Sequence, residues 1–319
     1  MKFAVYGAGA IGGYLGAKLA LSGEDVSLIA RGNNLAAIKK NGIQIHSEKE
    51  SIVANPKASD NPSDIGPVDF LFLTVKAHGV TDIAPQIHPL LNDKTTIISA
   101  QNGIPWWYFQ KHGGDWDGSS LESVDPEGII AKNIDINRVI GCIVYPSTEL
   151  IEPGIIKHIE GDRFSLGEID GSSSERIKTL SSSLIKAGLR APIRPHIRRE
   201  LWTKLLGNLA FNPISALTRS TLSEMTNDPN IKATAKAMMA EADAVATALN
   251  IEIPISIDQR FAGAQKVGNH KTSMLQDLEM GRPLEIDSVI GAVLEIGAKL
   301  GIYMPYTNSI YSCLKLLTK

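Results

Sequence analysis

Residues 2–21 read KFAVYGAGAIGGYLGAKLAL. A short apolar run, residues 2–6, closes on Gly7, and residues 11–21 have helical content. Between them lies Gly7-Ala8-Gly9-Ala10-Ile11-Gly12, a G-x-G-x-x-G. Alone that pattern is a weak signal. Between a strand and a helix it reads as a dinucleotide-binding turn. Gly7 permits the tight turn, Gly9 lets the backbone approach a pyrophosphate, and Gly12 lets helix and strand pack closely. The helix N-terminus offers its free N–H groups and positive dipole end to the phosphates.

Strand signals continue outward from this turn. Residues 25–30 (DVSLIA) read as a second strand, and 69–75 (DFLFLTV) as a parallel strand buried on both faces. Residues 95–100 and 139–145 extend the series, and 155–159 and 163–166 add strands of antiparallel character. The alternation implies an open, mostly parallel sheet with helices on both sides. The second strand ends in Arg31-Gly32-Asn33, without the carboxylate that would hold an NAD ribose. Arg31 can bind a 2′-phosphate bidentately, so NADPH is expected over NADH. Lys76 and Asn102 follow two strand ends, where open α/β sheets bind ligands. On their own, Lys76 also fits a surface lysine and Asn102 an Asn-Gly turn.

The chain has 319 residues, 43% hydrophobic and 21% charged, with a formal charge of −2. That suits a folded chain of two domains and gives no electrostatic reason to expect nucleic acid or a membrane. No apolar run reaches the roughly 20 residues of a membrane span. The glycine loop and the missing cleavage site argue against a signal peptide at the N-terminus. Cys142 and Cys313 stand far apart in apolar settings. They suggest a reducing, cytoplasmic compartment, without disulfide or metal.

After about residue 195 helical periodicity takes over, at 198–211, 231–250, 256–268 and 287–300. APIRPHIRRE (191–200) reads as a linker. The fold class is therefore an α/β N-terminal Rossmann-type dinucleotide-binding domain (1–195) and an all-α C-terminal domain (196–319). Residues 106–132, aromatic and then Gly/Asp/Ser-rich, form a long excursion. In 200–213 (ELWTKLLGNLAFNP), Glu200, Lys204, Asn208 and Asn212 recur every fourth position and form one polar row on an apolar helix. The row fits either a polar pocket or a wet outer face. Ser273-x-x-Gln276 fits a capping box, and Glu285 fits a first-turn acid.

These segments resemble the ketopantoate reductase (2-dehydropantoate 2-reductase) family over essentially the whole chain. The resemblance rests on GAGAIG, Arg31, TVKA around Lys76, QNG around Asn102, ELWxKLxxNxxxNP over 200–213, and TSMLQD…EID over 272–287. It implies NADPH-dependent reduction of 2-dehydropantoate to (R)-pantoate in pantothenate and coenzyme A synthesis, in a cleft between a Rossmann and a helical domain. Carried over residue by residue, it makes Lys204 the general acid. Glu285 sits at the cofactor and the lysine, and Asn102 between nicotinamide and substrate. Asn208, Asn212 and Ser273 become substrate contacts, and Gly7 to Gly12, Arg31 and Lys76 hold NADPH.

Two departures stand out. A further substrate Asn of the family is missing from 216–225 (ALTRSTLSEM), where Thr221 or Leu222 stands in its place. The 106–132 excursion is longer than in the short enzymes and fits a lid, a dimer contact or a satellite core. Another branched 2-oxo acid, or an NADPH-binding regulatory protein, are the alternative functions. The expected partner is a small-molecule 2-oxo acid, with monomer and homodimer both open.

Overall fold

The computed structural model describes residues 1–48 and 50–319. Contacts divide the chain into two compact units. The first comprises residues 1–101, 109–119 and 128–197; the second comprises 102–108, 120–127 and 198–319. The last switch between the units falls at 197/198. Residues 102–108 and 120–127 group with the helical unit although they precede it in sequence.

The first unit is α/β. Its seven-stranded sheet contains β1 (Lys2–Tyr6), β2 (Asp25–Ile29), β5 (Lys57–Ser59), β6 (Phe70–Leu73), β7 (Thr96–Ser99), β8 (Val139–Val144) and β11 (Phe164–Glu168), in the order β11-β8-β7-β6-β1-β2-β5. All neighbours are parallel except β11, which runs antiparallel to β8 at the edge. The strands β6, β7 and β8 are buried throughout, as both-face coverage requires. From β1 the chain builds outward through β2 and then, in the other direction, through β6. The carboxyl end of β1 is therefore the topological switch point, where such sheets bind ligands.

A second, four-stranded sheet was not anticipated. It is formed by β3 (Ile43–His46), β4 (Ser51–Ala54), β9 (Ser147–Glu152) and β10 (Ile155–Glu160), in the order β4-β3-β10-β9. Here β10 pairs parallel to β3 and antiparallel to β9. The helix α1 (Ala10–Leu21) packs on it, with Tyr14 stacked 4.6 Å from His158. Further helices of this unit are α2 (Gly32–Asn41), the short α3 (Val80–Ile83) and α4 (Ile129–Asn133), and α5 (Glu175–Lys186), capped by Ser174.

The second unit is helical. It is built from α6 (Ile197–Thr218), α7 (Leu222–Asn227), α8 (Pro229–Ala248), α9 (Ile257–Val267), α10 (Ser273–Glu279), α11 (Ala292–Lys299) and α12 (Pro305–Leu317). A π-helical turn, Asp287–Gly291, leads into α11. Long α6 is buried on most sides, with Leu201, Trp202, Leu205, Leu206, Leu209 and Phe211 almost fully covered.

Three anchors attach residues 102–108 and 120–127 to these helices. The Ile104 N–H donates to the Ser288 carbonyl at 2.7 Å. The buried Trp202 indole donates to the Tyr108 hydroxyl at 2.7 Å, and Arg198 Nε donates to the Tyr108 carbonyl at 2.8 Å. The Glu295 carboxylate accepts from the backbone N–H groups of Glu122 and Ser123. Trp106, Trp107, Tyr108 and Phe109 are all buried. Of the three readings of the excursion, its aromatic start is core.

Candidate active site

In the first unit the glycine turn follows from sterics. Gly7 has φ +107°, and a side chain there would strike the backbone and side chain of Val75. A Cβ on Gly12 would collide with the Gly7 carbonyl and the Thr74 hydroxyl, which itself donates to Gly7 O at 2.8 Å. Gly9 is different. Among the described residues no atom lies within 4 Å of where its Cβ would be, and it caps α1 without any side-chain hydrogen bond. The first turn of α1 thus has open space beside its free N–H groups, as a phosphate would need. Ala8 holds the loop in place, its carbonyl accepting from Asn34 at 2.7 Å.

Arg31 stands exposed at the start of α2, directly after β2. It lies near Tyr6, whose hydroxyl is pushed up by burial and drawn partly back by the Arg31 charge. No carboxylate occupies the end of β2. Lys76 precedes a single turn, Ala77–Gly79, at the end of β6. Gln101 ties the ends of β6 and β7 together, donating to the Leu73 carbonyl at 2.7 Å and accepting from Ser99.

In the second unit the polar row of α6 meets a partner outside the helix. Lys204 Nζ donates to Asn102 Oδ1 at 2.6 Å, and Asn102 Nδ2 donates to Glu285 Oε2 at 3.3 Å. Three residues far apart in sequence therefore form one chain: ammonium, amide, carboxylate. Lys204 and Asn208 are half-buried, and Asn212 is buried. The row is thus not a fully wetted outer face. Asn102, Asn212, Ser273 and Glu285 line one recess with Met274, Asp277 and Val289. Asn208 does not line that recess, although it shares the row with Lys204.

Local structure assigns the remaining side chains. Thr272, not Ser273, caps α10, accepting from the Leu275 N–H. The capping-box reading of Ser273 and Gln276 is therefore replaced, and the Ser273 hydroxyl is left on the recess. Glu285 stands just ahead of the π turn and reaches across to Asn102. Thr221 caps α7 in a reciprocal box with Glu224, so its hydroxyl is engaged there. Asp277, buried within TSMLQD, was not singled out in the sequence; Arg282 lies 3.9 Å from it. Among the described residues no group of three or more His, Cys, Asp or Glu could hold a metal ion, and no helix is long and apolar enough to cross a membrane.

Comparison with known proteins follows the same two parts. Residues 3–171 match the family model described as ketopantoate reductase PanE/ApbA, and residues 196–318 match that of its C-terminal region. A 2-dehydropantoate 2-reductase of Mesorhizobium japonicum is 48% identical over 318 residues, covering 99% of this chain and 98% of that one. The crystal structure of 2-dehydropantoate 2-reductase from Geobacter metallireducens superposes with a TM-score of 0.88 at 28% identity, covering 100% of both chains. D-mandelate dehydrogenase, solved with NADH and anilino(oxo)acetate, shares the fold at a TM-score of 0.85 and 23% identity, over 99% of this chain and 97% of that one. With both of its parts matched, and a relative nearly half identical along its full length, the chain belongs to the ketopantoate reductase family.

Proposed function

We propose that the protein reduces 2-dehydropantoate to (R)-pantoate with NADPH, as a step of pantothenate and coenzyme A synthesis in the cytoplasm. The observation that carries this reading is the Lys204–Asn102–Glu285 chain. A nicotinamide cofactor fits the first unit, since the open first turn of α1 can take a pyrophosphate and Arg31 a 2′-phosphate. When bound, that cofactor supplies hydride to the C2 carbonyl of the 2-oxo acid.

The side chains of the protein do the rest. The developing alkoxide needs a positive hydrogen-bond donor and then a proton, and Lys204 supplies both. Glu285, through Asn102, holds the ammonium in place. Asn102 also lies where nicotinamide and substrate are expected. Asn208, Asn212 and Ser273 bind the substrate carboxylate and hydroxyl, while Gly7, Ala8, Gly9, Ala10, Ile11, Gly12, Arg31 and Lys76 hold NADPH. Residues 1–195 serve the cofactor and 196–319 serve the substrate, with Asn102 the exception that folds with the helices.

The test is an oxidation assay of NADPH and NADH against a panel of 2-oxo acids. The proposal expects ketopantoate with NADPH to give the highest kcat/KM. A higher value for 2-oxoisovalerate would move the substrate to another branched 2-oxo acid. Tight NADPH binding with no turnover of any acid would make the protein a nucleotide-binding regulator instead.

A further inference from the structure

The π turn Asp287–Gly291 carries both ends of the Asn102–Glu285 contact. Glu285 lies two residues before the turn, and its carbonyl accepts from the Val289 N–H at 3.3 Å. The Ser288 carbonyl, inside the turn, accepts from the N–H of Ile104, two residues after Asn102. Val289 lines the same recess as Asn102 and Glu285. The amide and the carboxylate thus meet only as well as this one turn is placed.

Such a turn needs holding. The π form is rare and mostly occurs as a single turn within α-helices. Relaxing to the α form removes one residue's step, a rotation of about 100° and a rise of about 1.5 Å. The turn begins without a side-chain cap. The Ser288 hydroxyl is 3% exposed and has no hydrogen-bond partner among the described residues. The side chain of Asp287, by contrast, is tied. Its Oδ1 accepts from the Tyr311 hydroxyl at 2.8 Å, and Lys315 Nζ lies 3.2 Å from its Oδ2. Both donors stand on α12, one helical turn apart. Burial, and then the hydrogen bond to Asp287 and its charge, push the Tyr311 hydroxyl up to about 12, so it keeps its proton and donates at neutral pH. Gly291 leaves room for the contact: a Cβ there would lie 3.1 Å from Asp287 Oδ1 and 3.4 Å from the Tyr311 ring.

We propose that Asp287, gripped by Tyr311 and Lys315, is a positioning residue for the Lys204–Asn102–Glu285 chain. It acts through the backbone of the turn. Held in the π form, the turn presents the Glu285 carboxylate to Asn102 Nδ2 and the Ser288 carbonyl to the segment that follows Asn102. In the α form Glu285 would move by about 1.5 Å. Its contact with Asn102 is already 3.3 Å long, near the outer limit of a hydrogen bond, and would be lost. The side chains of Lys315 and Asp287 are 45% and 44% exposed, so their ion pair contributes little in water. The bond from Tyr311 to a carboxylate is the stronger half of the grip. The inference rests on the reading that this chain delivers the proton.

Tyr311→Phe, which removes the hydroxyl alone, tests it, with Asp287→Asn as the second variant. Both should lower kcat for ketopantoate about 2–30-fold, the range for coupling through a packed element. The KM for NADPH should not move, because the cofactor is held by the first unit. In an Asn102→Ala background, Tyr311→Phe should leave the remaining rate within about twofold, since the group it positions is gone. A general loosening of the helices would multiply the two losses instead. Amide hydrogen exchange at Ile104 reads the turn without turnover. It should quicken in both variants by more than any change at the buried amides of α8. An unchanged kcat in both variants, losses that multiply, or an Ile104 amide indifferent to both overturns the inference and leaves the proposed reaction standing. A wild type that reduces no 2-oxo acid overturns the reaction, and this inference with it.

Discussion

Replacing Gly103 with alanine should damage both stability and turnover, and the structure gives the size of the effect. Gly103 has φ +84°, and its added Cβ would lie against the Ser288 carbonyl and, at 2.8 Å, the Val289 nitrogen. Both obstacles are backbone atoms, so no rotamer can move aside. The left-handed conformation alone costs an L-residue about 1–2 kcal/mol. Forcing the π turn away adds the roughly 1–3 kcal/mol of an overpacked site. The Ile104–Ser288 hydrogen bond, anchored at the same carbonyl, is weakened as well. A loss of about 3–5 kcal/mol follows, a large fraction of the 5–15 kcal/mol of a typical domain.

Gly301→Ala is the control in the same unit. It has φ +69° and open space around its Cβ position, so it should lose only the conformational part. Urea unfolding followed by circular dichroism reads both variants. Asn102 is the next residue along from Gly103 and touches Lys204 at 2.6 Å. A displacement of about 1 Å at such a group can cost 10²-fold in rate, so kcat should fall about 10–100-fold in Gly103→Ala and stay unchanged in Gly301→Ala. Equal destabilisation of the two variants would refute the steric argument.

Other consequences are simpler. Tyr108→Phe leaves the buried Trp202 N–H without its acceptor, which should cost about 1–3 kcal/mol in denaturant titration. Burial pushes the Tyr108 hydroxyl far above its ordinary value of 10. The unfolded chain therefore ionises first, so stability is intact below pH 10 and lost as pH rises beyond it; the phenylalanine variant should show a shallower alkaline loss. Arg31→Ala should raise the KM for NADPH about 10–100-fold, the worth of one charge-assisted contact, and leave the KM for NADH nearly unmoved; equal effects would remove the 2′-phosphate assignment. Glu295→Ala frees the N–H groups of Glu122 and Ser123, and limited proteolysis should then cut within 120–127 sooner than in the wild type.

What the sequence disclosed tracks how local the signal was. The glycine turn, the fully buried strands and the polar row of α6 each declare themselves within a dozen residues, by sterics or periodicity. The second sheet does not. Its β9 is half-exposed along its length, and β3 pairs with β10 more than a hundred residues away, so neither run has a strong pattern. The cap of α10 falls on Thr272 rather than Ser273 because two hydroxyl residues stand side by side, and only the backbone geometry separates them. The π turn at 287–291 reads in sequence as one more stretch of helix. That residues 102–108 fold with the helices depends on the Ser288 and Trp202 contacts, which no local pattern signals. The same long-range folding brings Asn102 to Lys204.

The central claim is that the Lys204 ammonium protonates the oxygen formed when hydride arrives. The direct measurement is single-turnover reduction of ketopantoate by Lys204→Ala preloaded with NADPH, alongside the affinity of the variant for NADPH. The account predicts a rate lower by about 10²–10⁴, the usual contribution of a positioned acid, with NADPH affinity unchanged. A rate close to that of the wild type would contradict it.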